Sequence, residues 1–342
     1  MASLKSTIVT GTLETTGYMT ALTPTLLDVS NKACTTEFIN NYFTSNRGVF
    51  GGGITGDINT GSYLNTIEYI TITTLGNAMY FGNLTITRSY LSATSNGTNN
   101  RGVFGGGING SYLNNIDYIT ISTLGNAIDF GDLTIGRNEI ASTSNGTSNR
   151  GVFGGGSTGS YLNTIDCITI STLGNAIDFG DLTIARTYLS ATSNGGNNRG
   201  VFGGGNNGSR LNTIDYITIT TLGNAIDFGD LTVIRDGLSA TSNGTFNIGV
   251  FGGGNNGSYL NTIDYITITT LGNAIDFGDL TVIRKGLSAT SNGTFNRGVF
   301  GGGGNTSYLN TIDYITISTL GNAIDFGDLT IARYALSATS NS

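Results

Sequence analysis

Histidine and tryptophan are missing from this chain of 342 residues, and proline occurs once, at Pro24. Without histidine there is neither the commonest general base nor the commonest transition-metal ligand. The two cysteines, Cys34 and Cys167, are too few for a zinc site. Cys167 stands where neighbouring copies of the same motif carry tyrosine ("TIDCITI" against "TIDYITI"), which reads as a small buried hydrophobe. Charge is also scarce, at 11% of residues with a net charge of -7. Nucleic acid is therefore not an expected partner, because its footprint is a basic stripe. No apolar run approaches the roughly 20 residues of a membrane span. The opening "MASLKSTIVTGTLETTGYM" lacks the apolar core of a secretory signal. The expectation is synthesis in a cytoplasm, with any release by lysis or another route that needs no signal.

Glycine, by contrast, occurs 54 times, among many Asn, Ser, Thr and β-branched residues. Such a composition favours strands and tight turns, and predicts an all-β chain. Its dominant feature is a repeat. "GVFGGG" begins at Gly48, Gly102, Gly151, Gly200, Gly249 and Gly298, at spacings of 54, 49, 49, 49 and 49. The first spacing is longer because "ITGDINTGSYLN" replaces a shorter form such as "INGSYLN".

Each unit divides into four short apolar segments, as in residues 189–234. "LSATSN" (189–194) is a first strand, followed by an Asn-Gly hairpin turn in "NGGN" (194–197). "RGVFGGG" (199–205) is the second strand, "LNTIDYITIT" (211–220) the third and "AIDFGDLTVI" (225–234) the fourth. The pleat of the third puts Ile214 and Tyr216 on one side and Ile217 and Ile219 on the other. Apolar groups on both faces require cover on both faces. Four such strands make one blade that must stack on its neighbours.

The order of segments resembles the kelch repeat, whose period is near 50 residues. The points of likeness are the glycines that close the second strand, the "tIDyiti" strand, and an arginine after the fourth strand. That arginine recurs as Arg88, Arg137, Arg186, Arg235, Arg284 and Arg333. The kelch tryptophan is missing, and Phe130, Phe179, Phe228, Phe277 and Phe326 of "DFGD" are expected to fill its space. The resemblance implies a six-bladed kelch-like β-propeller over residues 47–342, with residues 1–46 as a separate N-terminal docking segment. Five "LSATSN"-like segments precede a "GVFGGG" and the sixth ends the chain. The economical closure pairs residues 336–341 with residues 47–53 and leaves no free sheet edge. Residues 37–44, "EFINNYFT", are the competing first strand.

Candidate chemistry is thin. Asp215, Asp227 and Asp230 recur in the other units, whereas an active site is normally unique, so they read as ion pairs and turn caps. Calcium in the "DFGD" loops is the alternative. No catalytic residue, metal site or cofactor is assigned. A copper-radical oxidase, known on kelch propellers, needs histidine ligands. The Asn-x-Ser/Thr triplets at Asn96, Asn145, Asn243 and Asn292 read as hairpin turns. Variation among the units concentrates in three places: the loop after the glycines and the pair after the arginine, which open on one face of a meander, and the stretch around "GTSNR" or "GTFNR", which lies on the other. Variable loops on a rigid scaffold are where recognition sits. The first face carries Tyr63, Tyr90, Tyr112, Tyr161, Tyr188, Tyr259, Tyr308 and Tyr334, the candidate ligand-binding residues.

The N-terminal "STIVTGTLETTGYMTA" resembles openings of phage tail-fibre and other virion proteins, and the Asn- and Gly-rich units resemble repeats of phage structural proteins. The resemblance implies a non-enzymatic virion protein on a capsid, neck or tail. Its expected partners are other virion proteins through residues 1–46, a host surface glycan or protein, and further copies of itself. A free-standing glycan-binding adhesin is the alternative.

Overall fold

The computed structural model describes residues 46–56, 61–96, 100–145, 149–193, 198–243, 247–292 and 296–340. The N-terminal stretch before Asn46, with the docking role and the competing strand 37–44 assigned to it, lies outside them. So do the turns "NGGN" (194–197) and its counterparts. Among the described residues there are strands and turns but no helix, and hence no helix able to cross a membrane.

Six four-stranded antiparallel sheets form a ring, the arrangement of a six-bladed β-propeller. In the fourth blade the strands run, from the axis outward, Ser190–Ser193, Arg199–Gly203, Thr213–Thr218 and Ile226–Asp230. These are shorter than the segments marked in the sequence. The second strand ends at Gly203 because Gly204 and Gly205 have φ of +68° and +113°, which turn the chain out of the sheet. The inner strand of the first blade is Ser337–Ser340. It pairs with Arg47–Gly51 in the register Gly48↔Ser340 to Gly51↔Ser337, so the chain's last strand lies beside its first described one. Thr66–Thr71 lies on the other side of Arg47–Gly51.

No blade has a core of its own. Six hydrophobic clusters lie between blades, one at each interface. Ile214 and Tyr216 face the fifth blade beside Phe251, while Ile217 and Ile219 face the third beside Val152, the division that the pleat requires. Phe251 is fully buried, and a Cβ on Gly203 would stand 2.7 Å from its ring. The same contact closes the circle, since Gly301 meets Phe50 of the first blade. The first glycine of "GGG" thus makes room for the next blade's phenylalanine.

The phenylalanines of "DFGD" are buried through a bulge. The register between third and fourth strands shifts after Ile214↔Gly229, so that Asp215 opposes Asp227 and Phe228 is the extra residue. Phe228 turns into the core at 2% exposure and meets Tyr216 edge-on at 6.2 Å. The neighbouring glycine has its own duty. A Cβ on Gly180 would stand 2.5 Å from the Gly223 carbonyl, because the fourth blade's "LGNA" turn runs along the third blade's outer strand. Gly223 N–H donates to the Phe179 carbonyl, and Asn224 Oδ1 accepts from Asp181 N–H. The outer edge is therefore partly covered by the next blade, which blunts edge-to-edge pairing.

The recurrent arginines and the first of the recurrent aspartates meet across the interfaces. Arg235 and Asp264 are fully buried and paired at 2.8 Å. The Asp264 carboxylate also accepts from Thr232 N–H at 3.2 Å and Thr232 Oγ1 at 2.7 Å, on the preceding blade. The guanidinium donates to the carbonyls of Phe251, Gly253 and Thr262. Five further pairs repeat this, with Glu68 replacing aspartate opposite Arg333. Burial pulls each guanidinium below its ordinary pKa while its carboxylate pushes it back. Asp227 and Asp230 take no part in these pairs.

Replacing Asp264→Ala strands the Arg235 charge in a dry interface. Chemical denaturation should show a loss of about 3–5 kcal/mol; an unchanged midpoint would contradict the staple. Deleting residues 336–342 removes buried Leu336 and uncovers the edge of Arg47–Gly51. Thermal melting should register at least the about 2–5 kcal/mol of a buried leucine truncation, and an unaltered melt would mean that another segment closes the first blade.

Candidate recognition mouth

The crossovers between blades converge on one end of the central channel. Each supplies two residues after the buried arginine: Ser89-Tyr90, Asn138-Glu139, Thr187-Tyr188, Asp236-Gly237, Lys285-Gly286 and Tyr334-Ala335. The first of each pair bridges to the loop between the second and third strands of the blade it enters, as Thr187 does to Asn206. The second residue is left-handed in all six, with φ between +54° and +65°. Its N–H donates to the carbonyl of the equivalent residue on the preceding blade, at 2.8–3.1 Å. Tyr90 donates to Ala335, Glu139 to Tyr90, and so on to Ala335, which donates to Gly286. The six bonds close a ring around the axis.

Glycine suits this conformation, and Gly237 and Gly286 use it. Tyr90, Glu139 and Tyr188 adopt it at a cost of about 1–3 kcal/mol each, offset in part by the ring's hydrogen bonds. These bulky side chains gather at the mouth. Tyr90 packs edge-to-face against both Tyr188 and Tyr334, with centroids 5.8 Å apart in each pair. Tyr308 stacks on Tyr334 at 5.6 Å and 14°. Below them a cavity of about 110 Å³ continues into the channel, lined by serine and alanine of the inner strands. At the far end, the hydroxyls of Ser95, Ser144, Ser193, Ser242 and Ser340 each donate to a serine carbonyl of the preceding blade.

Four of the eight tyrosines singled out from sequence, Tyr90, Tyr188, Tyr308 and Tyr334, are brought into mutual contact here. Tyr63, Tyr112, Tyr161 and Tyr259 stay on the loops of their own blades, bridged to Ile54, Ile108, Ser157 and Asn255. Tyr112 and Tyr161 are exposed, at 43% and 44%. Glu139, Asp236 and Lys285 belong to the mouth but were not among the candidate residues. Their signal in the sequence was variation within the pair after each arginine.

Electrostatics at the mouth follow from partial burial. Desolvation first, and then the nearby Glu139 charge, push the Tyr90 phenol up to about 12. The same two causes raise Tyr188, and desolvation raises Tyr334 with help from Tyr90. These phenols stay protonated at neutral pH and serve as hydrogen-bond donors. Desolvation, with the Asp236 charge adding to it, also raises the Glu139 carboxyl, although the Thr187 and Tyr188 hydroxyls and Lys285 favour its charge. Thr187 Oγ1 donates to Glu139 Oε2. Asp236 is held by Arg210 Nε at 3.2 Å and by Asn206 Nδ2 at 3.2 Å.

A search of protein-family models matches none to this chain. No curated protein matches the sequence either. The fold and the mouth therefore carry the functional reading.

A raised Glu139 means that the folded protein holds its proton more tightly than the unfolded chain does. Stability contributed by the neutral carboxyl is present at low pH and falls as pH rises through the window between the ordinary and the raised value. Glu139→Gln should flatten the melting temperature against pH across that window and melt higher than the native protein at about pH 7. A pH profile parallel to the native one would contradict the desolvated carboxyl.

Proposed function

We propose that the chain is a non-enzymatic recognition protein, a divergent kelch-like propeller displayed on a phage-type virion, with residues 1–46 as its attachment to the particle. The observation that carries the recognition role is the mouth. Six near-identical blades build a scaffold in which Arg–carboxylate pairs, glycines and phenylalanines repeat, and the residues that differ most meet at one end of the axis. Three bulky side chains hold a left-handed backbone there, where two blades use glycine. Strain kept at a cluster of polar aromatic groups is a mark of a binding site. Tyrosine rings beside carboxylate, ammonium and amide groups suit sugars or a protein surface. Protonated phenols and a chain without histidine favour binding over catalysis. The virion setting rests on the N-terminal and repeat resemblances. A free-standing glycan-binding adhesin would use the same mouth.

Peptide mass spectrometry of density-purified particles should find the chain in stoichiometric amount, and truncation of residues 1–46 should abolish its incorporation. Its absence from particles, with protein free in the medium or on cells, would replace the virion setting by the adhesin. Tyr188→Ala and Tyr334→Ala should each weaken attachment by about 1–3 kcal/mol; unimpaired attachment by both would remove the mouth from the mechanism.

A further inference from the structure

The two halves of the mouth are unlike. Tyr90, Glu139 and Tyr188 fill the side formed by the second to fourth blades, while Gly237 and Gly286 leave the fifth and sixth without a side chain at the equivalent position. The Tyr334 ring covers Gly286, since a Cβ there would stand 2.2 Å from it. Over Gly237 runs the stem of Lys285, with its Cβ and Cδ 3.2 and 3.5 Å from where a Cβ would stand. Lys285 and Glu139 belong to the sixth and third blades, which are opposite in a ring of six. Asp236 is paired with Arg210 at 3.2 Å. Among the described residues no carboxylate lies within ion-pairing distance of Lys285, and Glu139 has hydroxyl and amide partners but no cation within that distance.

The mouth therefore offers one positive and one negative group, Lys285 and Glu139, that act on each other only beyond ion-pairing distance, beside the tyrosine rings. A purely anionic ligand would meet Glu139 and a purely cationic one would meet Lys285, each a like-charge penalty in a partly dry site. A ligand carrying both charges satisfies both. The tyrosine rings add apolar surface for the face of a sugar ring and, toward an ammonium, cation–π attraction.

Resting on the reading of the mouth as a recognition site, we propose that its ligand is zwitterionic, of the amino-sugar-acid class, with its ammonium group at Glu139 and its carboxylate at Lys285. Four sugars test it in calorimetry and saturation-transfer NMR on the full chain: muramic acid, which carries both charges, glucosamine, glucuronic acid and glucose. Muramic acid should bind at least about tenfold more tightly than the other three, the factor that one well-placed charge pair supplies. Glu139→Gln and Lys285→Gln should each erase that advantage. Gly237→Tyr should abolish binding without unfolding the ring, because the second and fourth blades already carry tyrosine at this position with the same backbone. Equal binding of a singly charged or neutral sugar, lost in Gly237→Tyr, overturns the zwitterion and leaves the mouth as a recognition site. Muramic acid binding that is indifferent to both charge variants also overturns the zwitterion. Failure of all four sugars overturns it as well. If Gly237→Tyr then also leaves attachment intact, the recognition reading falls with it.

Discussion

Everything in this ring depends on the buried ion pair that joins each blade to the next. A guanidinium removed from water is costly unless a carboxylate and carbonyls surround it. Arg235 finds Asp264 and three carbonyls of the fifth blade, and Asp264 in turn holds Thr232 of the fourth. None of these groups can be satisfied inside one blade. The arginine sits at the point where the chain leaves one blade for the next, so the electrostatic requirement is also a geometric one. It sets how the crossover enters the following sheet, and therefore where the mouth residues just after it must lie.

Around this staple the apolar packing is equally shared. Val201, Ile214 and Phe228 are covered by Phe251, Ile266 and Ile268 of the next blade. With every hydrophobic cluster at an interface, stability resides in neighbour contacts, as in other repeat architectures. A ring needs no capping repeat, because its last interface is another copy of the first, with Arg333 on Glu68 and Phe50 on Gly301. Two substitutions mark how tolerant this is. Arg199 lies over the Tyr216 ring at 4.4 Å and donates to the Ile268 carbonyl of the next blade. Where Cys167 replaces the tyrosine, Arg150 keeps the bond to the Ile219 carbonyl. Where Ile248 replaces the arginine, it packs, as Tyr265 does, against the hydrophobic cluster between the fifth and sixth blades.

The mouth is where sixfold repetition is relaxed. Its ring of backbone hydrogen bonds is indifferent to side chains, so the second residue of each crossover can be Tyr, Glu, Gly or Ala without disturbing the closure. That freedom separates the shared architecture from the chemistry of the mouth. The scaffold residues repeat because each serves two blades, and the mouth residues differ because no neighbouring sheet constrains their chemistry.

By itself the sequence determined the all-β class, the number of blades and the two faces of the third strand, because a 49-residue period and a period of two are local patterns. It also marked Arg235 and Asp215 as recurrent and structural. Only the tertiary structure decided their partners. Arg235 pairs with Asp264, 29 residues on and in the next blade, rather than with Asp215 of its own unit. The role of Gly180 was likewise out of reach, since its neighbour is the Gly223 carbonyl of the following blade. The tyrosines were legible as a face but not as a site. Tyr90, Tyr188 and Tyr334 come from three blades, and only closure of the ring brings their side chains together with Glu139 and Lys285.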